Sequence, residues 1–202
     1  MGKNIVKIVI TGGPCAGKTS GMNEVLDVYT KKGYTVLVIP ETATELILHG
    51  IAPWTLESSL DYQLCQMKLQ IEKEKIYDEA ANKIINSDNI LIVCDRGLMD
   101  NKAYMSDDDF NKALKILNYT KDDFINRYDA VFHLKTVANG KEECYTLSNN
   151  KARTETVKQA IEIDNKIIEA WKLHPDFKII DNADKFEDKI KKLIDEISAI
   201  IS

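Results

Sequence analysis

The sequence is poor in the features that mark several classes of protein. Its 202 residues include only four cysteines, with no CxxC pair, and three histidines, so we expect neither a zinc finger nor a disulfide framework. No apolar run approaches the roughly 18 residues of a membrane-spanning helix, and the first residues do not resemble a signal peptide. Basic residues are not in excess, since 27 Lys and Arg face 32 Asp and Glu, which argues against nucleic-acid binding. These absences predict a cytoplasmic protein with no membrane insertion and no nucleic-acid partner, and they leave a protein partner undefined.

Linkers, internal repeats and low-complexity stretches are also missing, so residues 1–202 are expected to form a single domain. Five short runs of residues are apolar nearly throughout, which is typical of parallel strands covered on both faces. These runs are residues 4–11, 34–40, 89–95, 129–135 and 177–181.

Longer segments with apolar residues at helical spacing separate these runs. They include a long helix predicted over residues 55–86, a C-terminal helix that starts near Phe186, and helices with Ser106 and Thr120 as N-caps. The alternation predicts a three-layer α/β fold, in which a five-stranded parallel sheet has helices on both faces. Ligands of such folds bind beyond the carboxyl ends of the strands.

A phosphate-binding motif follows the first predicted strand directly. The segment GGPCAGKT at residues 12–19 fits the pattern G-x-x-x-x-G-K-[ST] in the strand–loop–helix context that the motif requires. Backbone N–H groups and a helix N-terminus capture phosphate oxygens in such loops. The motif predicts ATP or GTP with Mg²⁺ as the ligand, and a glycine-rich turn that binds nothing is the alternative. The residues predicted to contact the nucleotide are Gly12, Gly13, Pro14, Cys15, Ala16, Gly17, Lys18, Thr19 and Ser20.

Within this motif, Lys18 is predicted to contact the β- and γ-phosphates, and the Thr19 hydroxyl is predicted to bind Mg²⁺. Asp95 ends the third predicted strand and is placed to hold Mg²⁺ as a Walker-B-type acid, unless it only caps the next turn. Arg96 would present its guanidinium to an anion in the same cleft, or else form a structural salt bridge. Glu41 follows the second predicted strand and could act as a general base, or simply favour the start of a helix.

A polar stretch of about residues 136–153 is long for a connection and is predicted to be a lid, with a loop that has no functional role as the alternative. Arg153 at its exit is a candidate for charge compensation during phosphoryl transfer, with a solvated surface arginine as the alternative. Asn182, after the fifth predicted strand, is placed to contact a purine.

Other positions support weaker predictions. Asp164 interrupts an apolar helix stripe, so it either pairs with a lid or cleft residue or borders the stripe. Lys189, together with Lys191 and Lys192, is interpreted as part of a solvated face. The candidates for contacts with an acceptor, which are otherwise core residues, are Trp54, Tyr62, Gln66 and Tyr104.

These segments together carry a resemblance to a known family. The stretches TGGPCAGKTS, PETATELILHG, CDRGLMDNKAY, YDAVFHLKT, NNKARTE and AWKLHPDFKIIDN resemble the NadR-like AAA-type P-loop ATPase/kinase domains, over nearly the whole chain. That group includes ribosylnicotinamide kinase domains and the GTP-binding domain of an insect protein required for photoreceptor channel translocation. The chain also resembles deoxynucleoside kinases. That resemblance implies a P-loop nucleoside-kinase-like fold, with Glu41 as the base and Asp95 and Arg96 as the pair that holds metal and acceptor.

The residues and the resemblance together predict an enzyme that transfers phosphate from ATP or GTP, with Mg²⁺, to a small nucleoside-like or other hydroxyl-bearing acceptor. One alternative is a regulatory switch or NTPase that binds ATP or GTP without an acceptor. A second is a partner-binding module that has lost its nucleotide chemistry, although the presence of Lys18, Thr19, Asp95 and Glu41 together argues against it.

Overall fold

The computed structural model describes residues 2–138 and 156–201. Strands and helices alternate along most of this length, as the sequence predicts. The strands are β1 (Asn4–Thr11), β2 (Thr35–Ile39), β3 (Asn89–Asp95), β4 (Ala130–Leu134) and β5 (Phe177–Ile180). The helices are α1 (Lys18–Lys31), α2 (Thr42–Leu48), α3 (Ser59–Lys83), α4 (Asp107–Leu117), α5 (Lys121–Ile125), α6 (Val157–Trp171) and α7 (Phe186–Ile201), with a 3-10 helix at Leu98–Tyr104.

The five strands form one sheet in the order β2-β3-β1-β4-β5, and every neighbouring pair is parallel. β1 is central and pairs with β3 on one side and β4 on the other. All five predicted strands are present, with ends that shift by at most one residue. The predicted α/β class with an all-parallel five-stranded sheet is confirmed.

Alternate residues of the strands enter two separate cores, because successive side chains of a strand point to opposite faces. Ile8 and Ile10 of β1 belong to a core that α1 and α7 cover. Val9, between them, belongs to the other core, which also contains Met67 of α3 and Ile167 of α6. Helices therefore cover both faces of the sheet, and the predicted three-layer arrangement is confirmed.

The long helix α3 begins later than the apolar periodicity suggests. Ser58 is its N-cap and accepts a hydrogen bond from Asp61 N at 3.1 Å. Thr55, where the helix was predicted to begin, closes a preceding turn, in which its hydroxyl accepts from Ala52 N at 2.8 Å. Hydroxyl side chains satisfy backbone groups in turns as readily as at helix starts, and this explains the displaced boundary. The predicted caps Ser106 and Thr120 are observed.

Only the first residues of the predicted lid lie within the described part of the chain. Thr136 and Ala138 are fully buried, so these two residues belong to the packed core, and the lid itself stays a prediction. Residues 139–155, with Arg153, lie outside the described residues. Within 2–138 and 156–201, none of the helices is both long and apolar enough to span a membrane.

Candidate functional site

The loop between β1 and α1 is shaped by its glycines. Gly12 has φ +148°, and a Cβ there would lie 2.2 Å from the carbonyl oxygen of Leu134, so no other residue fits this close approach of two backbones. Gly17, the residue before α1, has φ +87°, and a Cβ would lie 2.6 Å from the ring of Phe186. Lys18 then begins α1 and directs its Nζ back to Gly12 O at 3.3 Å. This is the compact loop around an anion site that the motif predicts.

Asp164 of α6 is hydrogen-bonded to the phosphate loop. Its side chain is 1% exposed, and its Oδ1 accepts from Gly13 N at 2.8 Å and from Thr136 N at 3.3 Å. His133 Nε2 of β4, also buried, lies 3.0 Å from the same oxygen. Asp164 therefore joins α6, β4 and the phosphate loop. This gives a physical reason for the acid in an apolar stripe, and it brings in His133, to which the sequence assigns no role.

A cleft of about 450 Å³ opens at the carboxyl ends of β1, β2 and β3. Side chains from the phosphate loop and from the start of α2 line it together. The lining residues are Lys18, Thr19, Pro40, Glu41, Thr44, Glu45, His49 and Asp95. The structure thus brings together Lys18, Thr19, Glu41 and Asp95, which lie far apart in the sequence. Glu45, about one helical turn after Glu41, and His49, about two turns after it, are additions that helical spacing from Glu41 would have suggested.

Glu41 is fixed in the wall of this cleft. Its Oε1 forms a very short hydrogen bond with Arg96 Nε, and its Oε2 accepts from Thr44 Oγ1 at 2.6 Å. Burial by itself raises the pKa of the Glu41 carboxyl, but the charges of Arg96 and Lys18 and these hydrogen bonds outweigh it. The pKa of Glu41 is therefore well below its ordinary value, and the side chain is an ionised hydrogen-bond acceptor at neutral pH.

Arg96 reaches Glu41 from an unusual backbone conformation, with φ +70°. Its N–H continues the strand pairing to Ile10 O at 3.1 Å, while its guanidinium turns into the site. Arg96 Nη1 is 3.6 Å from Asp100 Oδ1, and Asp100 also accepts from Thr11 Oγ1 and, at 2.7 Å, from Gly97 N. Backbone strain of this kind is found at functional sites, where surrounding contacts enforce it. Arg96 thus forms a buried salt bridge with Glu41, which lines the cleft, and its contact with a bound anion stays a prediction.

Asp95 presents a carboxylate that the described residues do not satisfy. Its Oδ1 is buried and accepts no hydrogen bond within the described part of the chain. Burial raises the pKa of Asp95, and the Lys18 ammonium offsets part of that effect. A buried carboxylate oxygen without a donor is the kind of ligand that a hard cation such as Mg²⁺ takes. Thr19, which is exposed in the same cleft, would supply the hydroxyl that P-loop sites add.

A family model described as "AAA domain" matches residues 7–189. The chain belongs to this AAA domain family. Among solved structures, deoxyadenosine kinase from M. mycoides with bound dATP is similar at a TM-score of 0.58 and 14% sequence identity, over 96% of this chain and 99% of that one. None of the curated proteins matches the chain in sequence. The AAA domain described here therefore has the fold of a P-loop nucleoside kinase and is a P-loop nucleotide-binding domain.

Of three further residues with predicted roles in the AAA domain, one is placed differently from its prediction, and the roles of the other two stay predictions. Lys189 is 2% exposed, so the prediction of a solvated face is wrong for it, although Lys191 and Lys192 are exposed. Lys189 lies three residues after Phe186 and four before Leu193, on the apolar stripe of α7, and this spacing was the available signal. The Asn182 side chain donates to Thr136 O at 2.9 Å, and its contact with a purine stays a prediction, as does the role of Arg153.

The four candidates for acceptor contacts differ in their exposure and in their position. Trp54 is 73% exposed, whereas Tyr62 and Gln66 are buried on α3. Tyr104, at the end of the 3-10 helix, lies with its ring 5.9 Å from the Arg96 guanidinium. Burial and the nearby Glu41 charge raise the pKa of Tyr62 to about 12, so its hydroxyl stays a proton donor at neutral pH.

No cluster of three or more His, Cys, Asp or Glu side chains with metal-binding geometry occurs in the described parts of the AAA domain. A P-loop site needs no such cluster, because nucleotide phosphates complete the coordination of Mg²⁺. The donor set of Thr19 and Asp95 therefore fits Mg²⁺ held together with a nucleotide.

Proposed function

We propose that the protein is a phosphotransferase that moves the γ-phosphoryl group of ATP or GTP to a hydroxyl of a small, nucleoside-like acceptor. The observation that carries this proposal is the position of Glu41. An ionised carboxylate, fixed by Arg96 and Thr44, shares one cleft with Lys18, Thr19 and Asp95. A protein that only binds nucleotide needs the last three groups, whereas a fixed carboxylate is suited to the hydroxyl of an acceptor.

The phosphate loop and the residues next to it supply the groups that would bind the phosphates of the nucleotide. Lys18 Nζ donates to the loop carbonyl of Gly12 and would bind the β- and γ-phosphates. Thr19 and Asp95 would hold Mg²⁺, which when bound bridges phosphate oxygens and neutralises their charge. Arg153, outside the described residues, is proposed to compensate charge as the phosphoryl group moves, and the choice between ATP and GTP belongs to the experiment below.

Glu41 orients the acceptor and takes its proton. Its lowered pKa makes it a weak base, but the transition state of phosphoryl transfer is loose, so the attacking hydroxyl loses its proton late. A carboxylate that stays ionised and immobile satisfies that requirement, because its main contribution is to align the hydroxyl oxygen with phosphorus. Arg96 keeps the carboxylate both ionised and in place.

Polar atoms near Glu41 provide contacts for an acceptor. Tyr62 Oη on α3, which is close enough to Glu41 for that charge to raise its pKa, is buried without a hydrogen-bond partner among the described residues, and so is Arg96 Nη1. Unsatisfied buried polar atoms are costly, so a ligand that pairs with them gains affinity. Two donors suit the oxygen atoms of a hydroxyl-bearing molecule such as a nucleoside. Similarity to a deoxyadenosine kinase and the resemblance to ribosylnicotinamide kinase domains support a nucleoside or riboside as the acceptor class.

The test is a screen of deoxynucleosides, nucleosides, nucleotides and ribosides for phosphorylation by ATP or GTP with Mg²⁺. With an active acceptor, Glu41→Gln is expected to keep nucleotide affinity and to lower the transfer rate roughly 10²- to 10⁴-fold, the usual effect of losing a general base. Glu45→Gln is the matched control, because Glu45 lines the same cleft from the same helix but pairs with Lys73. It should change transfer little.

Each other outcome identifies a different function. Hydrolysis of ATP or GTP that no acceptor in the screen accelerates would favour the regulatory switch or NTPase. Transfer that survives Glu41→Gln at a normal rate would remove Glu41 as the base and leave Asp95 as the candidate. A protein that binds neither nucleotide would overturn the proposal as a whole.

A further inference from the structure

Lys189 of α7 is a buried cation next to the phosphate loop. Its side chain is 2% exposed, and its Nζ donates to three oxygens from three separate segments. These are Ala16 O in the phosphate loop at 2.9 Å, Lys135 O after β4 at 2.6 Å, and Asn182 Oδ1 after β5 at 2.9 Å. A lysine is rarely buried unless such partners satisfy it.

The contacts of Lys189 close a ring of hydrogen bonds. Asn182, which accepts from Lys189, donates through Nδ2 to Thr136 O at 2.9 Å. Thr136 donates through Oγ1 to Pro14 O at 2.5 Å. The ring therefore contacts the phosphate loop at two carbonyl oxygens, those of Pro14 and Ala16. It ties the loop to the segments that follow β4 and β5.

The ring orients two peptide groups of the phosphate loop. All described peptide bonds are trans, and a trans peptide places its carbonyl oxygen and its N–H on opposite sides. Because the oxygens of Pro14 and Ala16 point into the ring, the N–H groups of Cys15 and Gly17 point to the other side of the loop. Anion capture by such loops depends on the direction of these N–H groups.

The ring is complete only while Lys189 is protonated. An ammonium group has three N–H donors, one for each of the three oxygens, whereas a neutral amine has two and a lone pair that would face an oxygen. The charged groups that face Lys189 are Lys18 from α1, Asp164 from α6 and Asp181 after β5. Burial lowers the pKa of Lys189 to about 8, while Asp164 and Asp181 oppose the shift and Lys18 adds to it.

We propose that Lys189 is a positioning residue for the nucleotide, whose ammonium sets the phosphate loop in its binding conformation, so that affinity depends on the protonation of Lys189. The proposal rests on the nucleotide site of the proposed function. A bound triphosphate adds negative charge nearby and favours the ammonium. By linkage, the protonated protein then binds nucleotide more tightly, and affinity falls as pH rises through the pKa of the unliganded protein.

Calorimetric titration with MgATP and MgGTP from about pH 6.5 to about pH 9 tests this linkage. In the wild type, affinity should fall across the upper half of the range. Lys189→Met should bind roughly 10- to 100-fold more weakly at neutral pH, the effect of losing hydrogen bonds of a charged group. Its affinity relative to wild type should rise towards one at high pH, because wild-type Lys189 is then neutral too. Titration of the nucleotide itself cancels in this ratio.

Two further variants separate positioning from stability. Lys192→Met removes an exposed lysine of the same helix and should reproduce the wild-type profile. Lys189→Arg keeps a charge at high pH, and it should bind more tightly than wild type at the top of the range. Circular dichroism verifies that each variant is folded, and if Lys189→Met is not, the wild-type and Lys189→Arg profiles decide the question.

The results that would overturn the Lys189 proposal differ from those that would overturn the proposed function. Wild-type protein that binds nucleotide with no loss of affinity at high pH overturns the proposal, as does a folded Lys189→Met protein with wild-type affinity throughout. Either leaves the proposed function standing. Wild-type protein that binds neither nucleotide at any pH overturns the proposed function, and this inference with it.

Discussion

At the scale of single residues, Asp95 is a side chain whose charged form lowers the stability of the folded protein. Its side chain is partly buried, its Oδ1 is fully buried and lacks a donor among the described residues, and burial raises its pKa. The folded protein therefore disfavours the charge that metal binding needs. Groups with such raised pKa values are concentrated at functional sites.

Asp95→Asn should therefore stabilise the protein without ligand while weakening Mg²⁺-dependent nucleotide binding. We expect Tm to rise by about 2 to 4 °C, the shift that a change of about 1 kcal/mol produces in a domain of this size. Differential scanning fluorimetry without nucleotide measures the first effect, and calorimetry with and without Mg²⁺ the second. Asp88→Asn, at the exposed residue just before the same strand, is the control and should change neither. A drop in Tm for Asp95→Asn would show that Asp95 is a structural acid.

Glu41 has the opposite dependence on pH. Its pKa is lower in the folded protein than its ordinary value near 4.5, so its ionised form stabilises the fold. That contribution is fully present above the ordinary value and is lost as pH falls towards the folded-state pKa.

Glu41→Gln should therefore lower the free energy of unfolding by about 2 kcal/mol at neutral pH, the range for hydrogen bonds of charged groups. The difference from wild type should shrink as the pH is lowered below about 4.5, where Glu41 of the unfolded chain is protonated. Urea denaturation at a series of pH values measures it. A difference that stays constant with pH would mean that the Arg96–Glu41 pair does not stabilise the fold.

At the scale of elements, α3 is anchored by a buried polar cluster rather than by apolar contacts alone. Glu74 is fully buried and accepts from Tyr128 Oη at 2.8 Å, from Arg127 Nε at 2.6 Å and from Gln70 Nε2 at 3.2 Å. Gln70 Nε2 also donates to Arg96 O at 3.2 Å. The cluster thus connects α3 to the segment before β4 and to the residue that holds Glu41.

Glu74→Ala should be strongly destabilising, by about 3 to 5 kcal/mol, because it leaves the Arg127 charge without its buried partner. Glu72→Ala, on the exposed side of the same helix where Glu72 pairs with Lys75 at 2.6 Å, should cost less than about 1 kcal/mol. Denaturant unfolding of the two variants gives the comparison. Equal effects at the two positions would show that the cluster makes no special contribution to the anchoring of α3.

At the scale of the whole molecule, nucleotide binding should appear as a gain in stability. A ligand that binds only the folded protein adds about 2.7 kcal/mol at one hundred times its Kd, which corresponds to a rise in Tm of about 5 to 10 °C for a domain of this size. We expect this for ATP or GTP with Mg²⁺, and a smaller rise after chelation of Mg²⁺.

Lys18→Ala should abolish the shift while the protein remains folded, because we propose that this lysine binds the nucleotide phosphates. Lys31→Ala, in the exposed last turn of the same helix, should retain it. A folded Lys18→Ala protein with the full shift would contradict the P-loop assignment.

The sequence by itself determined the elements and the phosphate loop. The apolar runs that become strands, the caps at Ser106 and Thr120, and the motif from Gly12 to Thr19 depend on residues close together in the chain. Local backbone preferences and hydrophobic periodicity therefore express them directly. The parallel sheet and its ligand-binding edge followed from the alternation of strands and helices.

Only the tertiary structure decided which distant side chains meet. The strand order β2-β3-β1-β4-β5 brings Glu41 and Arg96 into contact across 55 positions of the chain. The packing of α6 and α7 puts Asp164 and Lys189 against the phosphate loop, across 151 and 173 positions. A position on the apolar stripe of a helix indicates that an acid or lysine is buried, but it does not identify the loop that packs over it. The burial of such a side chain depends on what the neighbouring elements offer as hydrogen-bond partners, and that is known only when those elements are packed.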